Sequence, residues 1–205
     1  MVREPGEPVE PLRSPTGSTV LEALAAPIAR ARAWAGPRLE ALLLGGSHAS
    51  GEGVWCRHEG QVCSLSDLDL YAVLPDEAAC REAETRQRAA RATLAGTLLA
   101  EGLAAPLEVA FLTRDGLSRL AARPGALELQ RHGRVLIGDP SVMAAVPRWR
   151  PSDIAPEEVS LLLENRAFEL LIAWDGLGSD DALVRARACH AVHKVAADLA
   201  GVLAL

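Results

Sequence analysis

The sequence is poor in three features that mark particular classes of protein. Lys194 is its only lysine and no long basic run occurs, which argues against a broad nucleic-acid surface, because phosphate binding needs clustered cations. Only 3% of the residues are aromatic, so the core must be built from Leu, Ala and Val. The N-terminus lacks the apolar stretch of a signal peptide, and no window approaches the roughly 18 apolar residues of a membrane span.

The cysteines are few and form no CxxC pair. Cys56, Cys63, Cys80 and Cys189 are scattered along 205 residues, which indicates reduced thiols in a cytoplasm. Almost all the positive charge is Arg, and the chain is rich in Ala, Gly and Pro, a composition that suggests a GC-rich bacterial genome. With 49% apolar and 23% charged residues and a net charge of −6, the chain is typical of an acidic globular protein.

The hydrophobic pattern divides the chain into three parts. Residues 1–16 are rich in Pro and Glu without a period, which predicts a disordered leader. Residues 17–150 predict an α+β domain with a small mixed β-sheet flanked by helices, beginning with a helix that Pro27 bends or splits. Residues 151–205 predict an all-helical C-terminal segment, with helices at 154–174 and 182–203. The sequence stops within a helical pattern, so we expect either a truncated chain or helices that find a partner.

Four short apolar runs of the first domain predict strands: "LEALLLGG", "DLDLYAVLP", "PLEVAFLT" and "RVLIGDP". The polar stretch 48–66 predicts a loop, and residues 76–102 predict one long amphipathic helix with a charged first turn.

Two aspartates interrupt the second of these runs. Asp67 and Asp69 are two positions apart, so on a strand they project from the same face, while Leu68 and Leu70 face the core. Like charges that close need a cation between them, and Mg²⁺ prefers carboxylate oxygens. Glu108, the only charge among the apolar residues of "PLEVAFLT", can join them if the two strands are neighbours. Three carboxylates around two metal ions form the clamp used for in-line nucleotidyl displacement.

The segment Gly45, Gly46 and Ser47 supplies a complementary feature. Glycines let the backbone approach a ligand closely, and the serine offers a hydroxyl and an N–H group. Such a turn is suited to hold the β- and γ-phosphates of a nucleotide.

Together, "LLLGGS", "SDLDLYAV" and "LEVAFL" resemble the polymerase-beta-like nucleotidyltransferase superfamily over about residues 38–140. The resemblance implies that Asp67 and Asp69 are catalytic and bind metal, that Glu108 is a metal ligand and a base, and that Gly46 and Ser47 contact the triphosphate. The chain departs from the pattern in three places. Ser66 stands where a hydrophobic residue is usual, the insertion 48–66 is long, and Glu108 stands where Asp is common.

Two further motifs have alternative interpretations. Cys56, His58 and Cys63, with His48 nearby, could hold zinc, but their spacing matches no common module and favours ordinary loop residues. Arg185 and His190 have the Arg-x₄-His spacing of HEPN-type ribonucleases, which arises easily by chance on a helix rich in Arg and Ala.

These features predict a cytoplasmic, Mg²⁺- or Mn²⁺-dependent, ATP-binding nucleotidyltransferase. We expect it to transfer AMP to a hydroxyl of a small-molecule acceptor, as the resemblance to aminoglycoside-modifying nucleotidyltransferases implies. The alternatives are a protein AMP-transferase, antitoxin-like, paired with a helical toxin, and a non-catalytic nucleotide-binding module. The acidic balance makes nucleic acid an unfavourable partner, and the C-terminal helices could form a homodimer.

Overall fold

A computed structural model describes residues 10–12, 38–100 and 102–202. The predicted helix around Pro27, and all of the predicted leader except residues 10–12, lie outside these ranges. The strands of the described part are Glu10–Leu12 (β1), Ala41–Leu44 (β2), Trp55–His58 (β3), Gln61–Ser64 (β4), Leu68–Leu74 (β5), Leu103–Ala104 (β6), Leu107–Thr113 (β7) and Arg134–Ile137 (β8).

The α-helices of the same ranges are Gly46–Ser50 (α1), Glu77–Thr85 (α2), Gln87–Ala100 (α3), Arg114–Ser118 (α4), Pro124–His132 (α5), Pro156–Leu177 (α6) and Ala182–Val202 (α7). Short 3₁₀ helices lie at Pro140–Ala145 and Pro151–Asp153. Among the described residues, no helix combines the length and the apolar character needed to cross a membrane.

The central sheet has the strand order β7-β5-β2-β8 and contains all four predicted strands. Strands β5 and β7 are parallel, whereas β2 pairs antiparallel with both β5 and β8. Both faces of the sheet are covered, which explains why β2 is buried at every position. The α+β class predicted from the sequence is therefore confirmed.

The two faces of the central sheet carry separate cores, and each draws alternate residues from the strands. Leu42, Leu44, Leu68 and Leu70 pack with residues of α2 and α3 on one face. On the opposite face, the core formed with α4, α5 and the first 3₁₀ helix contains Ala41, Leu43, Val73, Leu117 and Leu129. Because the side-chain period of a strand is two, Asp69 points to this second face.

The insertion 48–66 is not the loop that its polar composition predicts. Residues 46–50 form α1, and β3 and β4 form an antiparallel hairpin with His58 opposite Gln61. The tight turn between them is made by Glu59 and Gly60, which both have positive φ, at 48° and 76°. This combination suits a two-residue hairpin turn. The hairpin belongs to a second sheet of order β1-β3-β4-β6, so residues 10–12 of the predicted leader are a strand.

The region 76–102 forms two helices rather than the single helix predicted from its pattern. Asp76 caps α2 by accepting a hydrogen bond from the Ala79 N–H at 2.7 Å, and α2 ends before Arg86. The Gln87 side chain then donates to the Val109 carbonyl at 2.8 Å. This bond ties the start of α3 to the edge of the central sheet, so the second helix follows the sheet instead of extending the first.

Candidate functional site

The register between β5 and β7 places two of the three predicted acidic residues side by side. Asp69 is the direct partner of Glu108 in this parallel pair. Paired residues of neighbouring strands point to the same face, and Asp67, two positions before Asp69, lies just before β5 begins. We call Asp67, Asp69 and Glu108 the acidic triad. Asp67 and Glu108 are exposed, whereas Asp69 is partly buried.

The electrostatic surroundings of Asp69 favour a bound cation. Partial burial raises the pKa of its carboxyl group above the ordinary value, and the charges of Asp67 and Glu108 raise it further, while Lys194 acts in the opposite sense. A divalent cation placed between Asp67 and Asp69 would relieve this repulsion, and carboxylate oxygens are the donors that Mg²⁺ prefers. The two aspartates therefore fit such an ion.

Glu108 is engaged elsewhere in this structure. Its carboxylate forms an ion pair with Arg91 of α3, which reaches it around the sheet edge. Within the described residues, no three His, Cys, Asp or Glu side chains stand close enough together to hold a metal ion. A third carboxylate ligand would require Glu108 to leave Arg91, so its predicted role as a metal ligand stays a prediction.

The glycine turn lies against Asp69. The Gly45 N–H donates to the Asp69 carbonyl at 2.8 Å, which holds the end of β2 beside β5. Gly46 has a φ of +60°, and a Cβ atom added to it would lie 2.0 Å from Asp69 Oδ2. Glycine at position 46 thus suits the left-handed backbone, and it leaves room for the Asp69 carboxylate in its present position.

A cleft of about 640 Å³, the larger cleft, opens over the turn and the two aspartates. Gly46, Ser47, Asp67 and Asp69 line one side of it. The other side comes from α5, α6 and α7, with Glu128, Arg166, Glu169, Lys194 and Asp198. Glu108 does not line it, although it neighbours Asp69 in the sheet.

The basic residues of this cleft were not identified from the sequence. Arg166 Nε donates to Asp198 Oδ2 at 2.5 Å, and the same guanidinium pairs with Glu169. Lys194 Nζ lies 3.9 Å from Glu169 Oε1. Both cations are about 100 or more residues from the aspartates along the chain. The one sequence signal was that Lys194 is the only lysine in a chain that otherwise uses Arg.

Ser66 connects the C-terminal helices to the acidic residues. Its Oγ lies 3.1 Å from His190 Nε2 on α7 and accepts a hydrogen bond from the Val54 N–H. Its carbonyl lies 3.3 Å from His48 Nε2. The residue that breaks the hydrophobic pattern before Asp67 therefore anchors both the insertion and α7. Because α7 is docked here, the C-terminal segment forms part of the cleft.

The cysteines and histidines of the insertion have structural surroundings. Cys56 and Cys63 are buried free thiols opposite each other in the hairpin. His48 is buried against the Trp55 ring, with centroids 4.7 Å apart, and its Nε2 lies 2.8 Å from Ser64 Oγ. In the described ranges these groups form no metal cluster. Arg185 donates to the Ser179 carbonyl at 2.5 Å while His190 contacts Ser66, so the Arg-x₄-His pair is occupied by internal contacts.

Comparison with known proteins gives structural neighbours of low similarity. No family model and no curated protein match the chain. A crystal structure of a toxin–antitoxin complex with AMP-PNP contains a chain 18% identical to this one, matched over 74% of this chain and 96% of that chain with a TM-score of 0.35.

Two other neighbours are complexes of the same kind. One is a rebuilt structure of tri-AMPylated Shewanella oneidensis HEPN toxin with MNT antitoxin, at 16% identity, covering 76% of this chain and 97% of that chain, with a TM-score of 0.34. The other is a crystal structure of the toxin–antitoxin MntA-HepT, at 15% identity, covering 75% and 97%, with a TM-score of 0.34. Likeness at this level carries no function over to this chain, which must be judged from its own residues.

Proposed function

We propose that this protein is a metal-dependent nucleotidyltransferase that moves AMP from ATP to a hydroxyl group of a small-molecule acceptor. One observation carries the proposal: Asp69 and Glu108 are register partners on one face of a parallel strand pair, with Asp67 two residues before Asp69 and the Gly46 turn against its carboxylate. The partly buried Asp69 beside two further carboxylates costs stability, and a cation with a triphosphate would offset that cost.

Each part of the site has a distinct role in this scheme. Asp67 and Asp69 would hold Mg²⁺ or Mn²⁺, and Glu108 would join them after releasing Arg91. The backbone of Gly45 and Gly46 and the Ser47 hydroxyl would contact the β- and γ-phosphates. Arg166 and Lys194, on the opposite side of the larger cleft, would exchange their present carboxylate partners for phosphate oxygens. When bound, the metal would lower the pKa of the acceptor hydroxyl and neutralise the triphosphate.

The transfer is a single displacement at phosphorus. The acceptor oxygen forms a bond to the α-phosphorus, and the bond from that phosphorus to the α,β-bridging oxygen breaks. Pyrophosphate leaves with the electron pair of that bond, and a carboxylate of the acidic triad takes the hydroxyl proton. Because the protein contributes position and charge rather than a covalent intermediate, loss of one aspartate should remove most of the activity.

The test compares Asp69→Asn and Asp67→Asn with Glu40→Gln, which removes an exposed carboxylate just before β2. Pyrophosphate release and AMP transfer from labelled ATP are measured with Mg²⁺ or Mn²⁺ and a panel of hydroxylated small molecules. We expect a loss of at least about 100-fold in both aspartate variants and none in Glu40→Gln. Equal activity in Asp69→Asn and the parent protein would end the proposal.

Two alternatives have specific structural support. The exposed side chains of Phe168, Ile172 and Trp174 on α6 favour a protein acceptor or partner, as in a protein AMP-transferase paired with a toxin. Labelled ATP incubated with lysate would then label a protein. The Arg91–Glu108 ion pair favours a non-catalytic nucleotide-binding module instead. Calorimetry that finds ATP binding but no product with any acceptor would support that interpretation.

A further inference from the structure

A second cavity, of about 330 Å³, lies beside the larger cleft, and we call it the smaller cleft. Asp67, Ser66 and Lys194 line both, so the two spaces meet at Asp67. The walls of the smaller cleft are mainly aliphatic and come from the segments before β5 and before β7 and from α6 and α7: Leu65, Pro106, Ile172, Ala173, Val184 and Ala188. An apolar cavity with a few polar groups at fixed positions is the usual form of a small-molecule site.

Arg187 is the cation of this cavity for which the described residues provide no carboxylate in ion-pair contact. Its Nε atom is buried without a hydrogen-bond partner in the described part of the chain. The Asp181 carboxylate already caps α7, because it accepts hydrogen bonds from the N–H groups of Val184 and Leu183 at 3.1 and 2.8 Å. These bonds lower the pKa of Asp181, and the positive charge of Arg187 helps to lower it. The guanidinium lines the smaller cleft, so a ligand that carries negative charge would be stabilised beside it.

The other charged or polar groups of the smaller cleft are engaged by neighbours. Lys194 and Arg166 share Glu169, and His190 contacts Ser66. Apart from Asp67, the unpaired charge of the cavity is therefore that of Arg187, which is positive. This balance disfavours a polycationic aminosugar as its occupant.

Three polar residues of α7 lie along the smaller cleft. Arg187, His190 and Lys194 are at positions i, i+3 and i+7 of α7 and line the same cavity. At about 1.5 Å per residue, the backbone of Arg187 lies about one helical turn from that of His190, which contacts Ser66 beside Asp67. A compact ligand, such as one with a single benzene ring between its two polar ends, is therefore a suitable probe of this cavity.

We infer that the smaller cleft binds the acceptor, and that the acceptor is a small hydroxylated carboxylate with an apolar body. Its carboxylate pairs with Arg187, its body packs between Leu65, Ile172 and Val184, and its hydroxyl points to Asp67. This assignment rests on the proposed function for the reaction of that hydroxyl, which loses its proton as its oxygen replaces pyrophosphate on the α-phosphorus. Binding of the carboxylate end requires neither ATP nor metal.

The test uses three probes of similar shape and different charge: 4-hydroxyphenylacetate, the neutral 4-hydroxyphenylacetamide and the cationic tyramine. Their dissociation constants are measured by ligand-detected NMR titration, without nucleotide or metal, on the whole chain. We expect the carboxylate to bind at least ten-fold more tightly than the other two. Tighter binding of tyramine than of the carboxylate overturns the inference. So does a carboxylate that shows no saturable binding with a dissociation constant below about 10 mM, since weaker binding than this is not specific.

Variants then assign the effect to Arg187. Arg187→Met should weaken carboxylate binding at least ten-fold, Arg187→Lys should give an intermediate value, and Arg131→Met, which removes an exposed guanidinium on α5, should change nothing. Circular dichroism checks that each variant is folded. Equal affinity for the carboxylate in folded Arg187→Met, or in Arg187→Lys if the Met variant unfolds, contradicts the assignment.

The same measurements separate this inference from the enzyme proposal. Asp69→Asn should abolish AMP transfer yet keep carboxylate binding, because Asp69 does not line the smaller cleft. If the protein selects the carboxylate through Arg187 but has no transferase activity, the proposed enzyme function is refuted and the assignment of the smaller cleft stands. Transfer activity without that selectivity would refute the assignment of the smaller cleft alone.

Discussion

At the scale of single residues, the contact between Gly46 and Asp69 can be tested separately from backbone strain. In Gly46→Ala the new methyl group would lie 2.0 Å from Asp69 Oδ2, at a φ of +60°. Gly51→Ala is the matched control, because Gly51 has a φ of +88° and open space around it. The carboxylate can swing away, so both variants should lose about 1 kcal/mol of unfolding free energy from the left-handed backbone.

Only the first of these variants should affect the function. We expect Gly46→Ala to weaken metal-dependent ATP binding by about ten-fold or more, a loss of about 1.4 kcal/mol, because Asp69 is displaced from its position. Denaturant unfolding and calorimetry are the two measurements. Normal ATP binding in Gly46→Ala would show that the position of Asp69 does not matter for the nucleotide.

A second residue-scale prediction concerns Arg91, which competes with a metal for Glu108. In Arg91→Gln the ion pair is lost and Glu108 is free to turn toward the aspartates. A partly exposed pair contributes about 0.5–1 kcal/mol, so the apparent dissociation constant for Mn²⁺ should fall by about two- to five-fold. Arg88→Gln, an exposed change on the same helix, is the control. Weaker Mn²⁺ binding in Arg91→Gln would remove Glu108 from the proposed ligand set.

At the scale of elements, α1, the hairpin and α7 are joined through two buried or half-buried histidines. Burial lowers the pKa of His48 below its ordinary value of 6.5, against the opposing effects of the Ser66 carbonyl and Asp67. Burial and then Lys194 lower the pKa of His190. Below about pH 6.5 the unfolded chain therefore takes up protons that the folded protein resists, and stability falls as the pH falls.

The pH dependence can be assigned with one substitution for each histidine. His48→Gln keeps a polar group near Ser64 but cannot be protonated, so thermal unfolding of this variant should depend less on pH between 6.5 and 5 than that of the parent. His190→Gln should have a similar effect, whereas His132→Gln, an exposed change at the end of α5, should not. Unchanged pH profiles in both variants would mean that neither imidazole is held neutral by the fold.

The elements also show what could be predicted from the sequence. The four strands of the central sheet were predictable because each is a short apolar run ended by Gly, Pro or a polar residue. The hairpin was missed because its two short strands mix apolar and polar residues without alternation, and because Glu59 adopts a positive φ that is uncommon for a residue with a side chain. The break at Arg86 depends on Gln87 binding the β7 edge, a tertiary contact without a local signal.

The candidate site also contains residues that could be predicted from the sequence and residues that could not. Strand periodicity made Asp67 and Asp69 predictable on one face, whereas Glu108 lies beside Asp69 only because β5 and β7 pair in parallel, which the sequence left as a condition. Arg166, Arg187 and Lys194 were not, because their place in the site depends on how α6 and α7 dock. The sequence marked that docking only by Ser66, a polar residue at a position expected to be hydrophobic.

At the scale of the whole molecule, α6 has apolar residues around more of its circumference than the described protein covers. Phe168, Leu171 and Trp174 are 68–75% exposed. We expect a second copy of the chain to cover this surface in a twofold dimer, in which the same apolar patch of each copy packs against the other. This agrees with the homodimer predicted from the sequence, which no observation has yet tested.

Sedimentation of the parent protein and of Leu171→Glu measures this association. A carboxylate buried in an apolar interface should weaken it by about ten-fold or more. Asp175→Asn, an exposed change on the same helix, is the control. If the parent protein stays monomeric at all accessible concentrations, the predicted dimer is wrong.

The docking of α7 against Ser66 has a consequence for dividing the chain. A cut in the exposed link between α6 and α7 would leave every predicted catalytic acid on one fragment and the Arg187 and Lys194 cations on the other. Neither fragment alone would contain all the residues that line the two clefts. Reassociation of the fragments should therefore restore ligand binding, held by the Arg166–Asp198 and Glu169–Lys194 ion pairs between α6 and α7 together with the Ser66–His190 contact.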